Sequence, residues 1–189
     1  MMDELKVFDQ VLTSESGRFY CKNGIVQRFE PTSFNLIEGG IYAPQDNGND
    51  MKHYELAVKT LIVPNGIKGF CDNFFRDGAV TDIFILPDSL ESIGTNDLNS
   101  KGCVFAKSFL PEVVIPGNVK ILGIYCFGGA CIDKLVIRET TESPYLRQFK
   151  DARIKELYLP HSVVSGNKDG DYDFYRNFSN HCNCRVIEY

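Results

Sequence analysis

Val113-Val114-Ile115-Pro116-Gly117-Asn118-Val119-Lys120-Ile121-Leu122-Gly123-Ile124-Tyr125-Cys126-Phe127 is the stretch on which the fold turns. It opens with three apolar residues suited to a strand. A proline that cannot donate to a ladder stops it. Gly117-Asn118 supplies a turn, and a short arm follows with apolar residues at Val119, Leu122 and Phe127. The same order of residue types recurs on both sides. With Val113 as the start, equivalent starts fall at Leu61, Ile83, Leu135 and Leu157, giving successive spacings of 22, 30, 22 and 22 residues. A period in this range is the mark of a stacked repeat.

The columns of the repeat define one unit. Two residues after each start stand Val63, Ile85, Ile115, Ile137 and Leu159. Residues two apart in a strand share a face, so positions zero and two point into a common core. Proline follows at Pro64, Pro116 and Pro160, one residue late at Pro87, and is replaced by Arg138 in the fourth unit. Further apolar positions come at Ile67, Val119 and Val163, with Leu90 one residue late. The arm ends on Phe75, Phe127 and Phe149, with Leu98 again one residue late. A unit of this size cannot bury its apolar face alone, whereas stacked neighbours can. The expected architecture is an α/β-type solenoid, mostly β, of about five to six units.

These columns resemble the BspA-like leucine-rich repeats. Leu90-Glu91-Ser92-Ile93-Gly94 and Val119 to Phe127 match that pattern most closely, and the resemblance covers residues 61 to about 165. Arg138 for proline, Pro144 in an apolar column and Asp97 in place of a small residue depart from it. The resemblance implies a curved solenoid with a parallel sheet along one face and irregular arms opposite, a binding role and no shared catalytic residues.

Outside the repeat, Phe19 to Phe29 reads as strand, Asn23-Gly24 turn and strand, a strong hairpin signal. Leu5, Val7, Phe8, Val11 and Leu12 suit a short helix. Residues 1–40 are therefore expected to cap the stack with a helix and a hairpin, because an end unit otherwise leaves its core open. Residues 41–189 then form the solenoid, within one structural domain. Ile41-Tyr42-Ala43-Pro44 reads as a degenerate first unit, and Val186 to Tyr189 as the closing strand of a degenerate last one. Loops are expected at 99–108 and 165–173.

Composition narrows the function. The chain has 189 residues, is 43% hydrophobic and carries a net charge of −5. It has no apolar run long enough to span a membrane and no basic, aromatic-interleaved patch of the kind that binds nucleic acid. Met1 to Lys6 hold no basic region and no apolar segment, so no signal peptide is expected. A complete chain is thus expected in the cytoplasm, and one trimmed of a signal or anchor at the cell surface or secreted. Seven cysteines, an odd number, favour free thiols in a reducing compartment. His181, Cys182 and Cys184 cluster, but a zinc site needs a further ligand pair. His53, His161 and His181 fall in no hydrolase motif, and 167–173 lacks the order of a calcium loop. No metal or cofactor is expected.

The candidate site is the outward strand face. Ile62, Phe84, Val114, Val136 and Tyr158 follow the starts by one residue and should form one apolar strip, rimmed by Thr60, Asp82, Glu112, Lys134 and Glu156. With strands about 4.8 Å apart the strip is roughly 20 Å long. Such a strip either docks a partner or stabilises the sheet through side-chain stacking. The leading expectation is a non-enzymatic interaction module for a protein or peptide, with an apolar ridge and some positive charge on the partner. The alternatives are an adhesive or structural fragment of a larger bacterial surface protein and, last, a cysteine or metal hydrolase.

Overall fold

A computed structural model describes residues 8–44, 50–95, 102–138, 146–161 and 184–189. Its strands are β1 (Gln10–Ser14), β2 (Gly17–Lys22), β3 (Ile25–Pro31), β4 (Ile41–Pro44), β5 (Met51–Tyr54), β6 (Ala57–Ile62), β7 (Gly69–Phe70), β8 (Ala79–Ile85), β9 (Ser92–Ile93), β10 (Phe109–Ile115), β11 (Ile121–Leu122), β12 (Cys131–Ile137), β13 (Arg153–Leu159) and β14 (Arg185–Glu188). A 3-10 helix, Leu146–Phe149, lies between β12 and β13.

Six strands, in the order β14-β13-β12-β10-β8-β6, make the main sheet. Its pairings are parallel. The repeated strand therefore builds the long sheet of a solenoid, and β14 closes it in register, with Leu157 opposite Val186. The prolines end the strands as expected. Leu90 and Val119 each donate a backbone N–H back to the carbonyl of Pro87 and Pro116, closing tight turns. The arms stack on the far side through the short parallel pair β9 and β11. Gly123 is required there: a Cβ would sit 2.5 Å from the Thr95 nitrogen and 2.9 Å from the Gly94 carbonyl carbon.

The aromatic ends of the arms form a column through the core. Phe105 and Phe127 stack at 5.4 Å between ring centroids, and Phe127 and Phe149 at 5.3 Å. Backbone bonds run beside them, from Phe75 to Val104, Phe105 to Cys126 and Phe127 to Gln148. Leu98 lies outside the described residues. The ring between Phe75 and Phe127 is Phe105, so the extra residues of the longest unit fall before it.

The second unit corrects the expected register. Leu61 pairs with Phe84, not with Ile83, and Thr60 pairs with Ile83. Upstream, Val58 still pairs with Val80. The strand β8 therefore carries one extra residue, a bulge that reverses which side chains face inward. Phe84 is 6% exposed and belongs to the core, while Ile83 and Ile85 are 45% and 49% exposed. Counted from Phe84, Pro87 and Leu90 fall on their columns without delay.

The N-terminal segment differs in part. The hairpin stands as β2 and β3, with Asn23 and Gly24 both at positive φ. Val11 and Leu12, read as helical, lie instead in β1, antiparallel to β2; Leu5 and Val7 lie outside the described residues. The hairpin joins the stack where β3 pairs in parallel with β7. Ile41–Pro44 is not a repeat strand. It pairs antiparallel with β5 in a separate hairpin. The edge of β6 is met instead by two buried polar side chains. The Ser16 hydroxyl donates to the Ile62 carbonyl at 3.0 Å and accepts from the Ile62 N–H at 2.9 Å. The Asn35 amide donates to the Thr60 carbonyl and accepts from the Thr60 N–H, each at 2.8 Å.

Candidate functional site

The outward face of the sheet carries two columns. The first runs Ile62, Ile85, Val114, Val136, Tyr158 and Ile187, with Ile62 opposite Ile85, Val114 opposite Val136, and Tyr158 opposite both Val136 and Ile187. Four of the five expected residues, Ile62, Val114, Val136 and Tyr158, stand there, each partly exposed. Phe84 does not, because the bulge turns it inward, and Ile85 takes its place. Sequence reasoning missed Ile85. The late Pro87 and Leu90 were the signal for it, since both fall into step once Phe84 is the start.

The second column runs Thr60, Ile83, Glu112, Lys134, Glu156 and Arg185. Ile83 replaces Asp82 in it, for the same reason. The rim is thus not acidic. Its last four members alternate in sign, which is the favourable order for cross-strand neighbours. Lys134 Nζ lies 2.9 Å from a Glu112 oxygen and 5.0 Å above the Tyr158 ring. The Tyr158 hydroxyl donates to Glu156 at 3.2 Å. The Glu112 carboxylate, as hydrogen-bond acceptor, raises the Lys134 pKa and keeps it charged. This ladder neutralises itself, so it supplies no reason for a positively charged partner.

Two hollows open along the ends of these strands. One, of about 500 Å³, is lined by Ile62, Ile85 and Val114 with Pro64, Pro87 and Pro116. The other, of about 610 Å³, extends to Pro160, His161 and Tyr189.

Among the described residues, two histidines and several thiols bear on the alternative chemistries. His53 bonds the Gly39 carbonyl at 2.8 Å, and His161 pairs with the Glu188 carboxylate. Neither contact is to a thiol. Burial raises the pKa of the Cys126 and Cys184 thiols, away from the thiolate form that nucleophilic chemistry needs. His181, Cys182 and the 167–173 loop lie outside the described residues. Among the described residues no group of three His, Cys, Asp or Glu side chains is placed to hold a metal, and no helix is long and apolar enough to cross a membrane.

Fold and face together define a parallel-stranded repeat protein whose sheet presents an apolar strip. The match to a family model agrees. Residues 49–163 and 99–184 match the BspA type leucine rich repeat region, in six copies, and the chain belongs to that family. Membership carries a coarse function, a repeat module of the interaction or adhesion type. No curated protein and no solved structure matches the chain significantly.

Proposed function

We propose that the protein is a non-enzymatic interaction module that docks a protein or peptide on its outward sheet face, through Ile62, Ile85, Val114, Val136 and Tyr158. The exposure of Ile83 and Ile85 carries this reading. Two neighbouring isoleucines held half in water on a rigid strand lose that exposure only when something covers them. Tyr158 adds an aromatic anchor of the kind enriched at interface centres. The free thiols Cys21, Cys71 and Cys126 support a reducing compartment for the chain as it stands.

The test is Ile85→Ala combined with Tyr158→Ala. Both side chains are outside the core, so the variant should fold, which its circular dichroism and melting curve would check. Capture of partners from the source cell should fall sharply. An unchanged set of captured proteins would refute the reading. A second reading, an adhesive or spacing segment of a larger surface protein, is favoured by the self-neutralised ladder of Glu112, Lys134, Glu156 and Arg185, which leaves that part of the face without unanswered charge. Localisation of the native protein at the cell surface, with binding unaffected by the double variant, would support it.

A further inference from the structure

The charged column that neutralises itself within the sheet also matches itself across a two-fold axis. The sheet has six strands, in the order β14-β13-β12-β10-β8-β6, so its midline falls between β12 and β10. Lys134 and Glu112 flank that line, Glu156 and Ile83 stand outside them, and Arg185 and Thr60 are outermost. A second copy laid face to face, about a two-fold axis along the strands at the midline, meets each column in reverse order. Glu112 of each copy then lies opposite Lys134 of the other. In the apolar column Val114 meets Val136, Ile85 meets Tyr158, and Ile62 meets Ile187. Both central charges are open to such a partner, the Glu112 side chain being 49% exposed and that of Lys134 38%. Other two-fold settings fit worse. An axis along β12 or β10 sets Lys134 on Lys134 or Glu112 on Glu112. An axis across the strands lays the charged column on itself, like on like, or on the apolar column. An axis between β12 and β13 matches the signs but leaves the exposed Ile83 and Ile85 uncovered.

We propose that the outward sheet face docks a second copy of this chain, sheet on sheet, with Glu112 and Lys134 paired across a two-fold axis between β10 and β12. The proposal rests on the reading of the sheet face as the interaction surface and names its partner. Packed sheets lie about 10 Å apart and cross at about 30°, because each is twisted. The centre of the face therefore keeps the closest register, and the charge pair lies there. Glu156 and Arg185 fall opposite Ile83 and Thr60, nearer the rim, where charges stay in contact with water. The area sets the strength. Strands of up to seven residues, six side by side, give a face of roughly 600 Å² per copy at about 3.3 Å per residue and 4.8 Å per strand. Two such faces bury about 1,200 Å², the lower limit for a stable interface, so the dimer is reversible and its Kd micromolar or weaker.

Sedimentation velocity of the full chain, over about 1 μM to 1 mM, should show a monomer–dimer equilibrium. Glu112→Lys and Lys134→Glu each set like charges against each other across the axis, and each should weaken the dimer about tenfold or more. An equimolar mixture of the two variants should sediment as a heterodimer, because every central charge on one then faces its opposite on the other. Both variants lose the Glu112–Lys134 bridge within their own sheet, and mixing does not restore it. Recovery on mixing therefore reads the contact between copies alone, and melting curves check that each variant folds. A dimer that survives either single substitution, or a mixture that does not recover, would overturn the proposal. A monomeric wild type would overturn it too. If that monomer still lost its captured proteins on Ile85→Ala with Tyr158→Ala, the face reading would stand; if it kept them, both would fall.

Discussion

Phe84 and Ile85 are neighbours in sequence and opposites in the fold, and which one points out decides the make-up of the face. Phe84 packs within 5.2 Å of the Phe105 ring, so Phe84→Ala should cost about 3–5 kcal/mol, the usual loss for a buried ring. Ile85→Ala, half in water, should cost under about 1 kcal/mol. Urea midpoints of the two variants read the register directly, and the reverse order would place the bulge elsewhere. Phe127→Ala should match Phe84→Ala in size, since its ring is stacked on both sides. Asp77 adds a pH dependence. Burial pushes its pKa up, but the hydrogen bond and charge of Lys52, with Arg76, outweigh that and hold it below the ordinary value. A lowered folded pKa gives stability above the unfolded value, which is lost as pH falls through the folded one. Melting temperatures of the wild type and Asp77→Asn should therefore differ near neutrality and converge below about pH 4. A gap that stays constant with pH would show that the Lys52 contact does not act through charge.

At the scale of elements, the recurring parts were legible in the sequence and the parts that occur once were not. Strand, proline, turn and aromatic column repeat, so each copy corroborates the others. The Asn23-Gly24 hairpin was legible for a different reason: its positive-φ turn has a local signature. Ile41–Pro44 misled because four residues of alternating pattern suit an antiparallel hairpin as well as a repeat strand. The bulge in β8 misled because one extra residue leaves composition unchanged while reversing the face. Ser16 and Asn35 gave no periodic signal, since a sheet has one such end. Their role makes a clear prediction. Asn35→Ala leaves the N–H and carbonyl of Thr60 without their partners, at a cost of about 1–3 kcal/mol for each group left unsatisfied in a buried setting. Hydrogen exchange should show the Thr60 amide losing protection while amides in β12 keep theirs. Equal protection at Thr60 in both proteins would mean that water replaces the side chain without loss.

At the scale of the molecule, the N-terminal segment and the stack share a core. Phe19, Cys21 and Val26 are fully buried in the same cluster as Leu61, Val113 and Leu157. The pairing of β3 with β7 extends the arm side of the stack, and Ser16 with Asn35 occupies the edge of β6 on the sheet side. We read residues 1–40 as a cap on these grounds. Removing it should strip apolar cover from the first unit and leave a parallel edge strand with unpaired N–H and carbonyl groups, a ready template for other chains. A chain starting at Ile41 should therefore bind a hydrophobic dye and elute as aggregates in size-exclusion chromatography, under conditions where the full chain does neither. Asn35→Ala in the full chain provides the control, because it opens the edge bonds while keeping the apolar cover. If that variant stays dispersed while the truncated chain aggregates, the apolar cover is what keeps the first unit soluble. If both aggregate, the edge is the hazard and its two polar plugs are the safeguard. A truncated chain that stays dispersed and melts like the full one would show that the stack closes itself, and that residues 1–40 are no cap.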